Sequence, residues 1–588
     1  MKTCFKSIKL LIKTQPLYVL LQILSCVISV FLSLMPIGII EEIVNKFQDS
    51  ASKEEIIIYI ITRFLILAFL DIAVKFVNIY KLKIQRIFNA KASAIFYKKV
   101  GFVDYDFHES PEFLNGYTRS LEMGVENIFN VANTVFEIIM KLVQSFAVFT
   151  VLAEIDYRII LIVCLIALMF ILIFVRVGFL NKKENSIKRP LQRMTWYNRR
   201  AFVLKDSMAD IKTTDIDKML IENNQKSFDG VIKTINKYRS RATAWALVGE
   251  ILLMCMFPII VALIAYFTTD LENNVASFAA MTVAATTIST LINGLTSLIG
   301  RLESVLPEAK IPFDLLKLNG KIENDRGEVL DEEFESLEVN NIDFSYDNNK
   351  LHLNDISLSI KRGEKIAIVG SNGAGKTTLV KMLLRLYDPV NGNILINGKD
   401  YKDLNVRSLR KVVGAVFQNI ETYALTIGEN ILLREVKTED DINLINEALK
   451  FSGLYDYVYS LKDNINTNIT REFDRDGVVF SGGQNQRLAL ARGYAQNYQL
   501  FVLDEPSSAL DPFAEAEVYK NMLEIGKDKA IIFISHRLTT TVNADKIYLI
   551  ENAKVLESGT HEELMRLRGK YYEMFESQSK KYIGEDYE

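Results

Sequence analysis

The most informative part of this sequence is the run Gly370-Ser371-Asn372-Gly373-Ala374-Gly375-Lys376-Thr377-Thr378, which has the spacing G-x-x-x-x-G-K-[ST]. The mostly apolar residues 365–369 before it predict a buried strand, and residues 379–384 after it predict a helix. A glycine loop between a strand and a helix directs backbone N–H groups and the positive end of the helix toward an anion. The sequence therefore predicts a nucleotide site in which Lys376 reaches the β- and γ-phosphates and the Thr377 hydroxyl binds Mg²⁺.

Length and composition narrow the class of protein. With 588 residues the chain is too long for one core, so we expect more than one domain. Hydrophobic residues make up 49% of the chain although 24% are charged, which suggests a membrane part joined to a soluble part. The net charge of -3 gives no basic character that would indicate nucleic acid binding. The 4 cysteines have no C-x-x-C spacing and the 4 histidines are scattered, so the sequence supports neither a zinc site nor a disulfide framework.

The first half contains six apolar stretches, each near the length of about 20 residues that a helix needs to cross a bilayer. The first follows a basic N-terminus, but it is too long for a signal peptide and lacks a clear cleavage site. The sixth is weak in hydropathy because it is rich in Ala, Thr and Ser, which suit close helix packing. We place the spans at about residues 17–40, 56–80, 132–152, 159–180, 244–267 and 275–299.

The orientation of the spans follows from their basic flanks. Lysines and arginines precede the first span and follow the second and fourth, whereas the short joins on the other side lean acidic. The positive-inside rule then puts the N-terminus and two long loops, about residues 81–130 and 181–243, in the cytoplasm. These loops are too long for turns and predict helices that continue out of the membrane. Their tips, near residues 109–114 and 210–217, are where we expect a soluble domain to dock.

Ionisable residues inside a predicted span are functional candidates, and four of them are Arg63, Asp71 and Lys75 in the second span and Glu250 in the fifth. Asp71 and Lys75 are four residues apart, so we expect them to neutralise each other on one helix face, with substrate contact as the alternative. The sequence assigns no role to Arg63 in the second span or to Glu250 in the fifth.

A second motif in the soluble half is Leu500-Phe501-Val502-Leu503-Asp504-Glu505. Its four apolar residues predict a buried strand, and Asp504 at the strand end is suited to hold the Mg²⁺ shell. Glu505 is the candidate general base, since a carboxylate near the γ-phosphate can take the proton of an attacking water. Tyr346 precedes the glycine loop by 24 residues and could stack on adenine, although by itself it is more simply a strand-end tyrosine.

The run Phe480-Ser481-Gly482-Gly483-Gln484 resembles the signature motif of ABC-transporter ATPases, and it precedes Asp504 and Glu505 by the spacing of that family. Six spans followed by one such domain are similar to the exporter-type half-transporters, over nearly the whole chain. Further matches are Gln418 as the Q-loop glutamine, Ser508-Ala509-Leu510-Asp511 as the D-loop, His536 as the switch histidine and Tyr346 at the adenine-stacking position.

Two departures from the family pattern stand near the signature motif. Phe480 replaces the usual leucine and is expected to pack rather than to contact ATP. Residues 471–477 differ from the commoner Gly-Glu-x-Gly pattern, in a segment that contacts the transmembrane loops in the family.

The resemblance implies an α-helical six-span transmembrane domain followed by an α/β P-loop ATPase domain of the ABC type. We expect the transmembrane domain at residues 1–305, a linker at 306–335 and the ATPase domain at 336–588. The cofactors implied are ATP and Mg²⁺. The residues implied in hydrolysis are Lys376, Thr377, Gln418, Asp504, Glu505 and His536, with Thr377, Gln418 and Asp504 on the metal.

The resemblance also implies a dimer in which residues 481–484 of one chain cover the ATP held by the glycine loop of the other. The partner is either a second copy or a second half-transporter. Gln418 would sense Mg²⁺ and water beside the docked loop tips, and His536 would hold the γ-phosphate and the attacking water. Closing this sandwich would turn the spans from inward-open to outward-open, and hydrolysis would reset them.

The function expected from this reading is ATP-driven export of an amphipathic peptide, lipid or drug across a cell membrane, with the N-terminus and the ATPase domain in the cytoplasm.

An importer fits less well, because importer membrane and ATPase parts usually are separate chains. An ATP-gated channel or sensor is the alternative, and the intact Glu505 argues against it. The six spans exclude a nucleic-acid ABC protein. No peptidase-like domain with a Cys/His pair precedes the first span, so leader cleavage is not expected.

Overall fold

A computed structural model of the chain consists of two compact units. The helical unit comprises Met1–Gly101 and Glu112–Leu318, and the sheet unit comprises Phe102–Pro111 and Asn319–Glu588. The structure describes residues 2–153, 157–267, 275–323, 326–347, 350–418, 420–505, 520–521, 528–535 and 537–582.

Long helices build the helical unit. Helices α3, α7 and α9 have 48, 45 and 52 residues, so each is much longer than the ~20 residues that cross a bilayer. In the first 318 residues the helices are α1 (Lys2–Thr14), α2 (Pro16–Gln48), α3 (Lys53–Val100), α4 (Tyr105–Glu109), α5 (Pro111–Arg119), α6 (Val125–Ala153), α7 (Tyr157–Ala201), α8 (Lys205–Thr213), α9 (Ile216–Phe267) and α10 (Val275–Leu315), with one π-helical turn at Ser120–Gly124.

Within the described residues, five helical segments are long and apolar enough to cross a membrane. They contain the predicted first, second and sixth spans and most of the third and fifth, because two of the segments end at Val151 and Leu263. The predicted fourth span lies in α7, where the side chains of residues 157–164 are outside the described part of the chain. The five segments are Pro16–Gln48, Lys53–Val100, Pro111–Val151, Ile216–Leu263 and Val275–Leu315.

Helix α10 is at the centre of the packing in this unit. Its small residues Ala280, Ala284 and Ala285 are buried in one cluster with Ile37 of α2 and Ile260 of α9. Alanines let helix backbones approach closely, which is the packing that the Ala-, Thr- and Ser-rich composition of this segment predicts.

Two β-sheets build the sheet unit. An antiparallel sheet has the order β2-β1-β4-β5, and a six-stranded sheet has the order β10-β9-β3-β8-β7-β6, which is parallel except for the β9–β10 pair. The strands are β1 (Ser336–Phe344), β2 (Leu353–Lys361), β3 (Lys365–Val369), β4 (Asn391–Ile396), β5 (Lys399–Asp400), β6 (Val413–Val416), β7 (Leu500–Asp504), β8 (Ala530–Ile534), β9 (Lys546–Glu551) and β10 (Lys554–Gly559).

Burial along the strands follows their place in the two sheets. All five residues of β7 and all five of β8 are buried, as expected for central parallel strands covered on both faces. Strand β2 instead alternates buried Ile356, Leu358 and Ile360 with exposed serines, as expected for an antiparallel strand with one solvated face. The α-helices that the structure describes in this unit beyond α4 are α11 (Lys376–Leu383), α12 (Val406–Val412), α13 (Ile427–Leu432), α14 (Glu439–Phe451), α15 (Tyr455–Ser460), α16 (Gly482–Ala495), α17 (His561–Leu567) and α18 (Lys570–Tyr582).

The register of the six-stranded sheet brings the two sequence motifs to one edge. Ile368 of β3 and Asp504 of β7 both pair with Ile534 of β8, so β3 and β7 end at the same level. The carboxyl ends of parallel strands form the edge where α/β sheets bind ligands. The glycine loop after β3 and the carboxylates after β7 therefore share that edge.

Candidate nucleotide-binding site

The glycine loop has a backbone that requires glycine at its end. Gly375 has a φ of 108°, in the left-handed region that side chains disfavour, and it caps α11. A Cβ added there would lie 2.6 Å from the carbonyl oxygen of His352. The loop can thus bring backbone N–H groups close to a phosphate only because this position has no side chain.

Lys376, the first residue of α11, is held by the loop itself. Its Nζ donates hydrogen bonds to the carbonyl oxygens of Gly370 and Ser371, both at 2.9 Å, and the residue is 6% exposed. Burial lowers the pKa of Lys376, and the nearby carboxylates of Glu505 and Asp504 oppose this shift. Because carbonyl oxygens orient the ammonium group without neutralising it, its charge is available for a phosphate.

The oxygen atoms expected around Mg²⁺ lie together. The Thr377 hydroxyl donates a hydrogen bond of 3.2 Å to Oδ2 of Asp504, which is 2% exposed. Hydroxyl and carboxylate oxygens are the ligands that Mg²⁺ takes in nucleotide sites. The donor set that the structure brings together therefore fits magnesium.

Glu505 follows β7 in an unusual backbone conformation. Its φ is 52°, which is uncommon for a residue other than glycine, and its N–H donates to the carbonyl oxygen of Ile534 at 3.1 Å. Nε2 of Gln418 donates to Oε2 of Glu505 at 2.7 Å. Backbone strain of this kind concentrates at functional sites, and here it accompanies a carboxylate fixed beside the Q-loop position.

One cavity of about 690 Å³, a volume within the usual range for ligand pockets, is lined by Lys376, Thr377, Gln418 and Glu505. The cavity thus joins the glycine loop to Gln418 and Glu505. Its lining also includes His352, which the sequence did not single out, and Nδ1 of this histidine is buried without a hydrogen-bond partner among the described residues. The lining residues are His352, Asn372, Gly373, Gly375, Lys376, Thr377, Thr378, Gln418 and Glu505.

Tyr346 lies next to the loop within a cluster of aromatic rings. Its hydroxyl is 3.3 Å from Oγ1 of Thr378. Its ring makes edge-to-face contacts with Phe344, His352 and Tyr387, and the residue remains 40% exposed. The predicted adenine-stacking tyrosine is therefore beside the cavity, with part of its surface accessible.

The signature residues occupy a different part of the same unit. Ser481 caps α16, where its side chain accepts from the N–H of Gln484 and its own N–H donates to the Gln484 side chain. Residues 481–484 are described by the structure but do not line the cavity. Phe480 is 6% exposed and packs edge-to-face on Tyr457, so it is a core residue, as its apolar character predicts. His536 and the D-loop residues Ser508–Asp511 are outside the described part of the chain.

Sequence reasoning missed a polar cluster around Lys381 on α11. Nζ of Lys381 forms an ion pair of 2.7 Å with Glu109, and the Tyr387 hydroxyl donates to the same carboxylate at 2.5 Å. The ammonium group also lies 5.2 Å and 5.4 Å from the ring centres of Tyr105 and Tyr346. Lys381 therefore links the α4 segment, the helix after the glycine loop and Tyr346. Glu109 and Lys381 are 272 residues apart, so no local motif could reveal the pair.

The Glu109–Lys381 pair keeps its charges over a wide pH range. Burial raises the pKa of Glu109, but the hydrogen bonds from Lys381 and Tyr387 outweigh this effect and hold the pKa below its usual value. Burial likewise lowers the pKa of Lys381, but the bond to Glu109 together with the charges and rings around the ammonium group outweighs burial, and the net shift of the pKa is upward. A lowered carboxyl pKa contributes stability that is lost as pH falls through it, and a raised amine pKa contributes stability that is lost as pH rises through it. The pair therefore persists at neutral pH.

Asp104, just before α4, holds the chain that enters the sheet unit. Its carboxylate is 5% exposed and accepts from the N–H groups of Lys321, Ile322 and Glu323 at 2.6, 3.0 and 2.8 Å. Three backbone donors on one carboxylate form a compact anchor. The segment Phe102–Pro111, which contains part of the predicted first loop tip, is thus fixed within the sheet unit.

Comparison with known proteins agrees with this geometry. A family model described as "ABC transporter" matches residues 353–508. In structure, the chain superimposes on a bacterial Atm1-family ABC exporter with ATP bound, with a TM-score of 0.84 and 19% identity over 98% of this chain and 99% of that one. The chain has the fold of an ABC exporter. The ABC exporter fold explains why apolar helices of the helical unit precede a nucleotide site in the sheet unit.

Sequence relatives match a shorter part of this ABC exporter fold. A Bacillus subtilis protein named as a multidrug export ATP-binding/permease protein is 38% identical over 244 residues, which is 41% of each chain. The ABC multidrug transporter MDR5 of Trichophyton rubrum is 39% identical over 249 residues, 42% of this chain and 19% of that protein. The aligned region thus spans less than half of the length of these relatives.

Proposed function

We propose that this chain is an ATP-hydrolysing half-transporter that exports an amphipathic substrate from the cytoplasm through a cell membrane. The observation that carries the proposal is the convergence of Lys376, Thr377, Asp504, Gln418 and Glu505 at one sheet edge. The apolar helices of the helical unit and the named multidrug exporters among the relatives support a multi-pass membrane protein with a transport role.

In the proposed reaction the loop binds the phosphates of ATP and Lys376 contacts the β- and γ-phosphates. Thr377 and Asp504, with Gln418, would hold Mg²⁺, which neutralises charge that develops on the phosphates. Glu505 takes the proton of the attacking water, and the bond from Gln418 keeps its carboxylate oriented. His536 would assist at the γ-phosphate, and Tyr346 would stack on the adenine.

The proposed functional unit is a dimer. Within one chain, Ser481–Gln484 do not line the cavity that contains the glycine loop. A second chain, either identical or a related half-transporter, would bring its own signature residues over that cavity and complete the phosphate contacts. The basic flanks of the spans support a cytoplasmic position for the N-terminus and the ATPase domain. We retain 1–305, 306–335 and 336–588 as the proposed domain limits.

The test is ATPase activity of the purified chain in lipid nanodiscs. We expect Glu505→Gln to retain ATP binding and to lose hydrolysis by roughly 10²–10⁴-fold, the contribution typical of a general base. Glu338→Gln is the matched control, because Glu338 is an exposed residue of β1 and the charge change is the same. Unimpaired turnover in Glu505→Gln would refute the assigned role.

Two further outcomes of this experiment are informative. If the folded chain alone has no turnover, a second half-transporter is required. If substrate flux continues at full rate in Glu505→Gln although hydrolysis has stopped, the chain is an ATP-gated channel rather than a pump.

A further inference from the structure

Polar side chains from separate apolar helices form one hydrogen-bond network in the helical unit. Asn133 of α6 accepts from Tyr18 and Gln22 of α2, at 2.5 and 2.7 Å. Lys81 of α3 donates to the Gln22 amide oxygen at 2.8 Å and to the Ser25 hydroxyl at 2.7 Å. Tyr18, Gln22 and Ser25 are all less than 5% exposed. The network therefore fixes the Lys81 ammonium group within packed helices.

The network contains an excess of positive charge. Glu137 is its only carboxylate among the described residues; it accepts from Asn133 at 2.8 Å and lies 3.8 Å from Arg301. Among the described residues, the Lys81 ammonium group donates only to neutral oxygens. Lys141 lies one helical turn after Glu137, and its ammonium group has no hydrogen bond or ion pair within the described chain. Its side-chain stem packs against Gly294 of α10, 3.4 Å from where a Cβ of that residue would lie. Three cationic side chains thus accompany one anion.

An unpaired acceptor lies one helical turn from Lys141. Gln144 is on the same face of α6 as Lys141, three residues further on, and it is 3% exposed. Its amide oxygen is buried and has no hydrogen-bond partner among the described residues. A buried acceptor left unpaired costs free energy that a ligand with a donor group would recover.

Lys75, on the same helix as Lys81, is a lysine whose charge is neutralised by a carboxylate. Lys75 forms an ion pair of 2.7 Å with Asp71, as its spacing predicts, and both side chains are more than half exposed. Lys81 and Lys141 form no such ion pair within the described chain, and Lys141 lies inside the third predicted span, where a cation is costly and usually marks a functional site.

We propose that Lys81 and Lys141 bind the anionic group of the exported molecule, an amphipathic carboxylate or phosphate with a hydrogen-bond donor near the anion. Gln22 and Ser25 position Lys81 without neutralising it, and the Gln144 amide oxygen accepts from the donor. This inference rests on the proposed export function and specifies its substrate class.

The experiment measures binding of 11-(dansylamino)undecanoic acid to the full chain in nanodiscs without ATP, by dansyl fluorescence, with empty nanodiscs subtracted. The primary amide of the same molecule is the uncharged probe, and the corresponding undecyl phosphate distinguishes phosphate from carboxylate recognition. We expect the preferred anion to bind at least tenfold more tightly than the amide, as a charge-assisted hydrogen bond would provide. Equal affinities for the amide and both anions would overturn the inference.

Substitutions of the two lysines test whether they cause the preference for the anion. Lys81→Gln and Lys141→Gln should each weaken binding of the preferred anion about tenfold and leave amide binding unchanged, whereas Lys81→Arg should retain the preference. Lys75→Gln is the matched control, because that lysine already has a carboxylate partner. An equal loss in Lys75→Gln would refute the site.

Basal ATPase activity of the same samples separates this inference from the proposed function. Normal turnover with no preference for either anion would remove the anion site and leave the exporter proposal intact. Absence of turnover in the wild-type chain, with anion binding retained, would instead count against ATP-driven transport by this chain alone.

Discussion

Two lysines in different units of this protein are held in the same way. Lys376 donates to the carbonyl oxygens of Gly370 and Ser371, and Lys81 donates to the side-chain oxygens of Gln22 and Ser25. In both places neutral oxygens hold the ammonium group, and no ion pair joins it to a carboxylate within the described chain. The comparison indicates that a lysine with only neutral hydrogen-bond partners marks a candidate anion site.

The two sites differ in how the sequence encodes them. The Lys376 site comes from consecutive residues, with Gly370 and Lys376 only 6 positions apart. The Lys81 site is assembled from α2, α3 and α6, with partners 59 and 111 residues apart. A motif search can find the first site, whereas the second requires knowledge of how helices pack.

The largest effect in this comparison is expected from Gly375→Ala. The new Cβ would lie 2.6 Å from the His352 carbonyl oxygen at a φ of 108°, so the loop must deform. We expect ATP binding, measured with a fluorescent ATP analogue, to fall by at least 10²-fold, since left-handed strain alone costs about 1–3 kcal/mol and the clash adds to it. Gly398→Ala is the matched control, because its φ is 77° and no atom lies within 4 Å of the added Cβ. Wild-type affinity in Gly375→Ala would show that the loop does not need this conformation.

The central elements of the sheet unit could be predicted because their sequences are locally consistent. The strand before the glycine loop is Lys365–Val369 and the second predicted strand is Leu500–Asp504, with the predicted carboxylate at its end. A strand whose residues are nearly all apolar can be recognised from its own sequence, without knowledge of the neighbouring strands. The sequence could not predict that β8 lies between β3 and β7, because strand order depends on pairing between distant residues.

The polar contacts between distant segments were not predictable in either unit. Glu109 is on a short helix with no unusual local pattern, and its role appears only beside Lys381 and Tyr387. Asn133 and Gln22 similarly read as ordinary polar residues near span ends. The Asp71–Lys75 pair was predictable because helical periodicity fixes neighbours at four residues.

A second prediction tests how far the nucleotide site extends beyond its motif. Tyr346→Ala should weaken ATP binding by roughly 5- to 150-fold, since stacking of a base on an aromatic ring contributes about 1–3 kcal/mol. Tyr346→Phe should stay within about twofold of wild type, because it keeps the ring and loses only the 3.3 Å contact with Thr378. Titration of both variants with the fluorescent ATP analogue measures this, and an equal loss in the two would mean that the hydroxyl rather than the ring contributes.

The smallest effect is expected where the α4 segment meets α11. Glu109→Gln removes the charge that faces Lys381 and leaves a side chain of the same size. Because Glu109 is 41% exposed, solvent screens the pair, and we expect a coupling free energy of about 1 kcal/mol or less. A double-mutant cycle with Lys381→Met, followed by thermal unfolding at pH 7, isolates this coupling.

The same cycle decides whether the Glu109–Lys381 pair serves the nucleotide site or only the fold. If the pair acts through Tyr346, whose ring centre lies 5.4 Å from the Lys381 ammonium group, Glu109→Gln should also change ATP affinity, and Tyr346→Ala should abolish that change. The pair Arg362–Glu333 is the control, because both side chains are at least half exposed and neither lines the cavity. A stability effect without any change in ATP affinity would assign Glu109 to anchoring the α4 segment. In both units polar residues distant in sequence position a lysine. In that case, however, the Lys381 contacts would serve only the fold, whereas the proposed role of Lys81 is to bind a ligand.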